Sequence, residues 1–326
     1  MAMEPKFVIW KRSPAARVAF KDWAALIKEA GAEPTHVNEL VSGPADYKGT
    51  LDASGEGAGG IWVSGAKEMA PIVWRVEWPQ DIQDWLVTFA NPKGDITNSD
   101  VEIAAEVLGC LVLEAVMPTQ HVHVGLCSDN SPTVAWQMRG ASKRSVVANR
   151  LLRVLAVRLR IKRASPLITK HLAGDRNALG DIPSRLFGYK KEWHFKNDSD
   201  FLTYFNNCFP LPNQICWTGF RLSDGVCSRV MRELRTQGLS MAEWRRLPRL
   251  GTKYGKNGRP TADISEYLCT WTTVISKQWP ELQQCSEDGS GKASEEEPSA
   301  LEWFKPASGA STQQSPWRGA PSPSTK

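Results

Sequence analysis

Four short segments each set a carboxylate at or near the end of a predicted secondary-structure element, and their order restricts the fold more than any other feature of the chain. Gly49-Thr-Leu-Asp-Ala-Ser54 reads as a strand, Ile96-Thr-Asn-Ser-Asp-Val-Glu-Ile103 as the opening of a helix, and Cys127-Ser-Asp-Asn130 as the end of a strand. His171-Leu-Ala-Gly-Asp-Arg-Asn-Ala-Leu-Gly-Asp-Ile-Pro-Ser-Arg185 joins a strand to a helix. Acids delivered in strand, helix, strand, helix order converge only if strands and helices are layered on one another.

The surrounding pattern supplies those layers. Lys48 to Ser64 is β-rich and is broken by Gly55, Gly57, Gly59 and Gly60, which predicts a hairpin, and the alternation in Val73 to Trp78 adds a third antiparallel strand. From Ser99 to Met117, Ile103, Val107, Leu108, Leu111, Val112, Ala115 and Val116 recur at helical spacing until Pro118 stops the run. His121 to Cys127 alternates as a fourth strand, and Pro132 opens a helix that Gly140 closes. Ser145 to Ile161 is a basic amphipathic helix, Leu167 to Leu172 a fifth strand and Asn177 to Arg185 a short helix. The expected core is therefore an α/β domain over residues 46–190, with a five-stranded mixed sheet.

Around it, residues 1–45 read as a connector with one helix, Ala15 to Ala30. Residues 191–284 read as a small appended module with short helices over Phe201–Phe209, Arg221–Thr236 and Met241–Arg246, and residues 285–326, rich in Ser, Gly, Pro and Glu, as a disordered tail. The 326 residues allow one good core plus something smaller. The most apolar windows are too short and too charged to span a membrane, so no membrane partner is expected. The seven scattered cysteines form no Cys-x-x-Cys pair, and the N-terminus shows no signal-peptide pattern. Both point to an intracellular chain, cytoplasmic or nuclear, without structural zinc.

Net charge is only +5, yet its distribution is uneven: Asn130 to Gly174 holds no Asp or Glu, while Arg139, Lys143, Arg144, Arg150, Arg153 and Arg158 all lie there with further Lys and Arg. Such a block is either a solvated helix face or a surface for phosphates.

Each acid has a local explanation as well. Asp52 shares a strand face with Thr50 and Ser54 and serves equally as an edge-strand acid; Ser99-Asp-Val-Glu102 spells a capping box, and Asp100 and Glu106 rival Glu102 as a ligand. Asp129 precedes Asn130-Ser-Pro, where a helix cap is expected, and Asp181 sits in a Gly-Asp-Ile-Pro turn. His171 on its strand is as readily structural as functional.

Taken together, the segments resemble the type 1 ribonuclease H domain of retroelement polyproteins, of the DIRS and gypsy types. The resemblance covers about residues 45 to 190. It is carried by Leu51-Asp-Ala-Ser54 with the glycine-rich run after it, by Asn98-Ser-Asp-Val-Glu-Ile-Ala104, by Ser128-Asp-Asn-Ser-Pro-Thr-Val-Ala-Trp136, and by the His171 to Arg185 run, which departs from the family only in having Gly180 where Ala is usual.

The resemblance implies a ribonuclease H-like fold and a metal-binding, catalytic quartet of Asp52, Glu102, Asp129 and Asp181. His171 would assist proton transfer or product departure. Two Mg²⁺ ions, or Mn²⁺ in their place, would drive hydrolysis of the RNA strand of an RNA–DNA hybrid. Arg139, Lys143, Arg144, Arg150, Arg153 and Arg158 would grip the hybrid's phosphates. No Tyr-x-Asp-Asp polymerase motif is present, so the chain looks like a retroelement fragment whose partner would be the element's polymerase. The competing expectation is a non-catalytic nucleic-acid-binding remnant; an integrase or resolvase of the same broad fold fits the quartet plus His171 less well.

Overall fold

The computed structural model describes residues 14–246 and 268–271, except 33, 36, 42, 65–69, 117–121, 166, 186, 188–194, 196, 213–214 and 238. A helix, α1 (Pro14–Ala32), precedes the sheet, and Phe20, Trp23 and Ile27 on it are exposed. The glycine-rich hairpin then forms as expected: β1 (Tyr47–Ala53) and β2 (Gly57–Ser64) pair antiparallel, with Asp52 opposite Gly59, and β3 (Ile72–Glu77) continues the meander. A short helix, α2 (Gln80–Trp85), follows; its single turn and a half carries too little periodicity to predict.

The strongest apolar pattern becomes α3 (Asn98–Val116), which is buried on all sides from Asp100 onward. After it come β4 (Val124–Ser128), α4 (Ser131–Arg139), α5 (Val146–Lys162), β5 (Ile168–His171) and α6 (Ala178–Ser184). Both β1–β4 and β4–β5 are parallel, so β1 and β4 end at the same edge of the sheet.

Where the sequence predicts five strands, the described residues form a sheet of seven, in the order β5-β4-β1-β2-β3-β6-β7. The additions come from the stretch read as an appended module. After α7 (Asp198–Cys208), β6 (Thr218–Leu222) pairs parallel to β3, and β7 (Leu268–Trp271) pairs antiparallel to β6. The helix predicted to begin at Arg221 begins instead at α8 (Asp224–Leu234), because Arg221 and Leu222 are spent on the strand; α9 (Met241–Arg246) follows. Five residues of strand beside a helix carry too short a pattern to separate from it. The tail expected over residues 285–326 lies outside the described residues.

Both faces of the sheet are covered. On one, Leu51, Trp62 and Trp74 join Leu108 and Leu111 of α3, Leu151 and Leu155 of α5, and Val226, Val230 and Met231 of α8 in one core. Full burial of such side chains contributes roughly 1.5–3 kcal/mol each. On the other face, Ile61 and Val73 meet Leu179 of α6, Phe201 and Phe205 of α7, and Trp217. Alternation along β1 decides which side each residue serves: Leu51 enters the α3 core, while Thr50 and Asp52 point toward α6. Among the described residues, no helix is long and apolar enough to cross a membrane.

Candidate metal centre

Because β1 and β4 run parallel, their carboxyl ends bring Asp52 and Asp129 side by side, and α3, one turn in from its start, reaches over the same edge with Glu102. One carboxylate oxygen from each of these three residues lies within 4.8 Å of the other two. Asp52 and Glu102 are buried and Asp129 is half-buried. The cleft above them is lined by Ser54, Asn98, Asn130 and Arg185 in addition to the three acids.

The capping arrangement explains why Glu102 is available. The box forms two residues earlier than the sequence suggests: Thr97 N–H and Oγ1 donate to Asp100 Oδ2 at 3.0 and 2.7 Å, and Asp100 N–H donates back to Thr97 Oγ1 at 3.3 Å. Asp100 also accepts from Ser145 Oγ at 2.5 Å, so it is committed to structure. Among the described residues, Glu102 has one oxygen, Oε2, that is buried and without a hydrogen-bond partner. Asp129 is freed in the same way, because the neighbouring Asn130 caps α4, accepting from Thr133 N–H at 3.0 Å.

Electrostatics record the crowding. Burial, and then the charges of Asp52 and Asp129, push Glu102 well above the usual glutamate range. Burial first and Asp52 second raise Asp129 as well. For Glu102 and Asp129 the neighbouring carboxylates thus add to the effect of burial. Glu106, the other rival, accepts a hydrogen bond from Gln137 and is pushed by burial to about 8.

Asp181 stands next to the cluster without joining its tight group. Its carboxylate pairs with Arg185 at 2.5 Å, and burial raises its pKa while Arg185 opposes the shift. The exposed His171 places Nε2 3.1 Å from the Asp129 carbonyl oxygen. The turn after it leans on the same residue: a Cβ on Gly174 would lie 3.0 Å from Asp129 Oδ2. Gly180 also has a steric reason, because a Cβ there would lie 2.7 Å from the Leu51 carbonyl carbon. An alanine at that position, usual in the family resembled, would push α6 off β1.

The basic block divides. Arg139, Lys143, Arg144 and Arg153 are exposed. Arg150 is mostly covered and lies 3.5 Å from Glu233. Arg158, expected among the phosphate contacts, is instead 3% exposed, donating through Nε to Glu114 Oε2 at 2.9 Å and through Nη1 to the Trp244 carbonyl at 3.1 Å. Its position on α5, seven residues after Leu151 and four after Val154, puts it on the core stripe and removes it from any docking surface.

Two residues to which the sequence assigns no role complete the site. Ser184 Oγ donates to Asp52 Oδ2 at 2.6 Å, and Asn177 ties α6 to β1 by accepting from Thr50 Oγ1 and donating to the Leu51 carbonyl at 3.0 Å. Both stand within the His171 to Arg185 run, where their polar side chains are the available signal. Comparison of the chain with models of protein families, with curated proteins and with solved structures finds no match in any of the three.

The donor set suits a hard divalent cation. Asp52, Glu102 and Asp129 offer only oxygen, which Mg²⁺ and Mn²⁺ accept, and Glu102 Oε2 is, among the described residues, a buried acceptor with no hydrogen-bond partner.

Proposed function

We propose that this chain is a divalent-metal-dependent endonuclease of the ribonuclease H type, cutting the RNA strand of an RNA–DNA hybrid, and that it derives from a retroelement polyprotein. The observation that carries this reading is the convergence of Asp52, Glu102 and Asp129 from β1, α3 and β4 within 4.8 Å. Supporting it are the α/β layering with an antiparallel β1–β2–β3 meander and β4 and β5 parallel to β1.

Asp52, Glu102 and Asp129 would hold Mg²⁺ or Mn²⁺, with Asp181 contributing once its pairing with Arg185 is relaxed. Bound there, such ions supply Lewis acidity to the attacking water and to the leaving oxygen of a phosphodiester. His171 serves the proton traffic: with Nε2–H assigned as donor to the Asp129 carbonyl, Nδ1 is the acceptor on an exposed ring. Lys143 and Arg144 stand at the start of α5, which Ser145 ties to Asp100 at the Glu102 end of α3; from there they would meet the hybrid's phosphates. The 2′-hydroxyls would distinguish RNA from DNA.

The test is cleavage of a labelled RNA–DNA hybrid by the purified chain. Wild type is expected to cut the RNA strand only with Mg²⁺ or Mn²⁺, and folded Asp129→Asn to give no product above background. Failure of the folded wild type to cut under any divalent ion would overturn the proposal. The exposed Arg139, Lys143, Arg144 and Arg153 favour a second reading, a non-catalytic nucleic-acid-binding remnant of the same element. Salt-dependent hybrid binding without cleavage would select it.

A further inference from the structure

We propose that Ser184 is a positioning residue for the metal centre, holding the Asp52 carboxylate in the orientation that lets it share a cation with Glu102 and Asp129. This rests on the metal-centre reading above and goes beyond the carboxylates themselves.

The hydroxyl of Ser184 is buried, with the residue 0% exposed, and it donates to Asp52 Oδ2 at 2.6 Å. That length is at the short end of the range for an O–H···O bond. A second acceptor, the carbonyl of Asp181, lies 2.8 Å from the same Oγ. One hydroxyl carries one hydrogen, so the two acceptors compete for it. The shorter of the two contacts is the one to Asp52.

Asp52 needs such a partner. It faces two carboxylates across no more than 4.8 Å, and an unanchored side chain there has other staggered rotamers that would carry its oxygens away from them. With Oδ2 held by Ser184, that rotation costs a hydrogen bond in a buried place.

The helix that brings Ser184 is itself fixed at both ends. At its start, Asn177 is clamped to Thr50 and Leu51, the two residues before Asp52, and Gly180 lies flat against the Leu51 backbone. At its end, the buried Arg75 donates to the Arg185 carbonyl at 3.0 Å. Short α6 therefore sets Ser184 against Asp52 with little slack, while carrying Asp181 on the same turn.

The experiment uses the full-length chain with Mn²⁺ alone as the probe, followed by electron paramagnetic resonance, together with thermal unfolding in EDTA and hybrid cleavage. Ser184→Ala is expected to bind Mn²⁺ about 10–100-fold more weakly than wild type, the usual cost of removing a group that orients a metal ligand. The Mg²⁺ concentration for half-maximal cleavage should rise in step. If Ser184→Ala lowers the unfolding temperature in EDTA but binds Mn²⁺ as wild type does, Ser184 is structural only and the inference is overturned. Should that variant fail to fold, Ser184→Cys keeps the volume while weakening the donor and carries the same comparison. A wild type that neither binds Mn²⁺ nor cleaves the hybrid removes the metal-centre reading; a wild type that does both, beside an unaffected Ser184 variant, removes this inference alone.

Discussion

The two ends of α3 treat buried acids in opposite ways. Near its C-terminus, Glu114 is 7% exposed and meets the fork of Arg158, whose remaining donor reaches the Trp244 carbonyl. Near its N-terminus, Glu102 is 2% exposed and has two further acids and an oxygen with no partner. Between them, Glu106 has one amide donor and an elevated pKa of about 8. The same residue type, on one helix and at similar depth, is satisfied at one end and starved of positive charge at the other. Proteins pair buried charges as a rule, and under the proposed function a bound cation would supply that pairing at Glu102.

The comparison breaks first at Arg158. Arg158→Ala strands Glu114 without its cation, and a loss of roughly 3–5 kcal/mol is expected in urea unfolding at pH 7. A loss below about 1 kcal/mol would mean that this end of the helix is no better satisfied than the other.

Glu106 sharpens it through pH. Its folded pKa, about 8, stands above the ordinary 4.5, so the folded protein holds the extra proton between those values. Stability from this group is full below about 4.5, falls as pH rises and stops falling above about 8. Glu106→Gln keeps an acceptor for Gln137 and has no proton to lose. Its stability advantage over wild type should open between about pH 5 and 8, reaching on the order of a few kcal/mol. Parallel pH curves for the two proteins would show that Glu106 ionises as if in water.

The smallest effect concerns the seat of α6. Gly180→Ala puts a methyl against the Leu51 backbone and should cost about 1–3 kcal/mol in thermal unfolding. It should also weaken Mn²⁺ binding, because the displaced helix carries Ser184 away from Asp52. Unchanged stability and binding would show that α6 adjusts freely.

Long periodic segments are legible in the chain. The helix at Ser99–Met117, the glycine hairpin and the Pro132–Gly140 helix follow from spacing and punctuation that tertiary contacts only reinforce. Three of the expected site acids meet, since strand and helix ends are where open α/β sheets gather polar groups. What is not legible depends on depth or on single hydrogen bonds. Arg158 reads as surface when charges are counted and as core when its place in the α5 stripe is followed. The cap at α3 is displaced from Ser99 and Glu102 to Thr97 and Asp100, a shift along the chain that no propensity distinguishes. Strand β6 escapes a sequence reading because its hydrogen bonds go to β3, far earlier in the chain. Ser184 and Asn177 lie inside the His171 to Arg185 run, but the partner of a hydroxyl or an amide is a matter of geometry.

The parallel seam between β3 and β6 has a practical consequence for anyone shortening this protein. A chain cut at residue 190 would leave Val73 and Trp74 on a bare sheet margin, and would uncover the α3 and α5 surfaces that Met231 and Trp244 now keep dry. Such a piece would tend to stick to its own copies through that margin. Soluble material calls for carrying the chain at least through Trp271, so that β6 keeps its partner β7 as well.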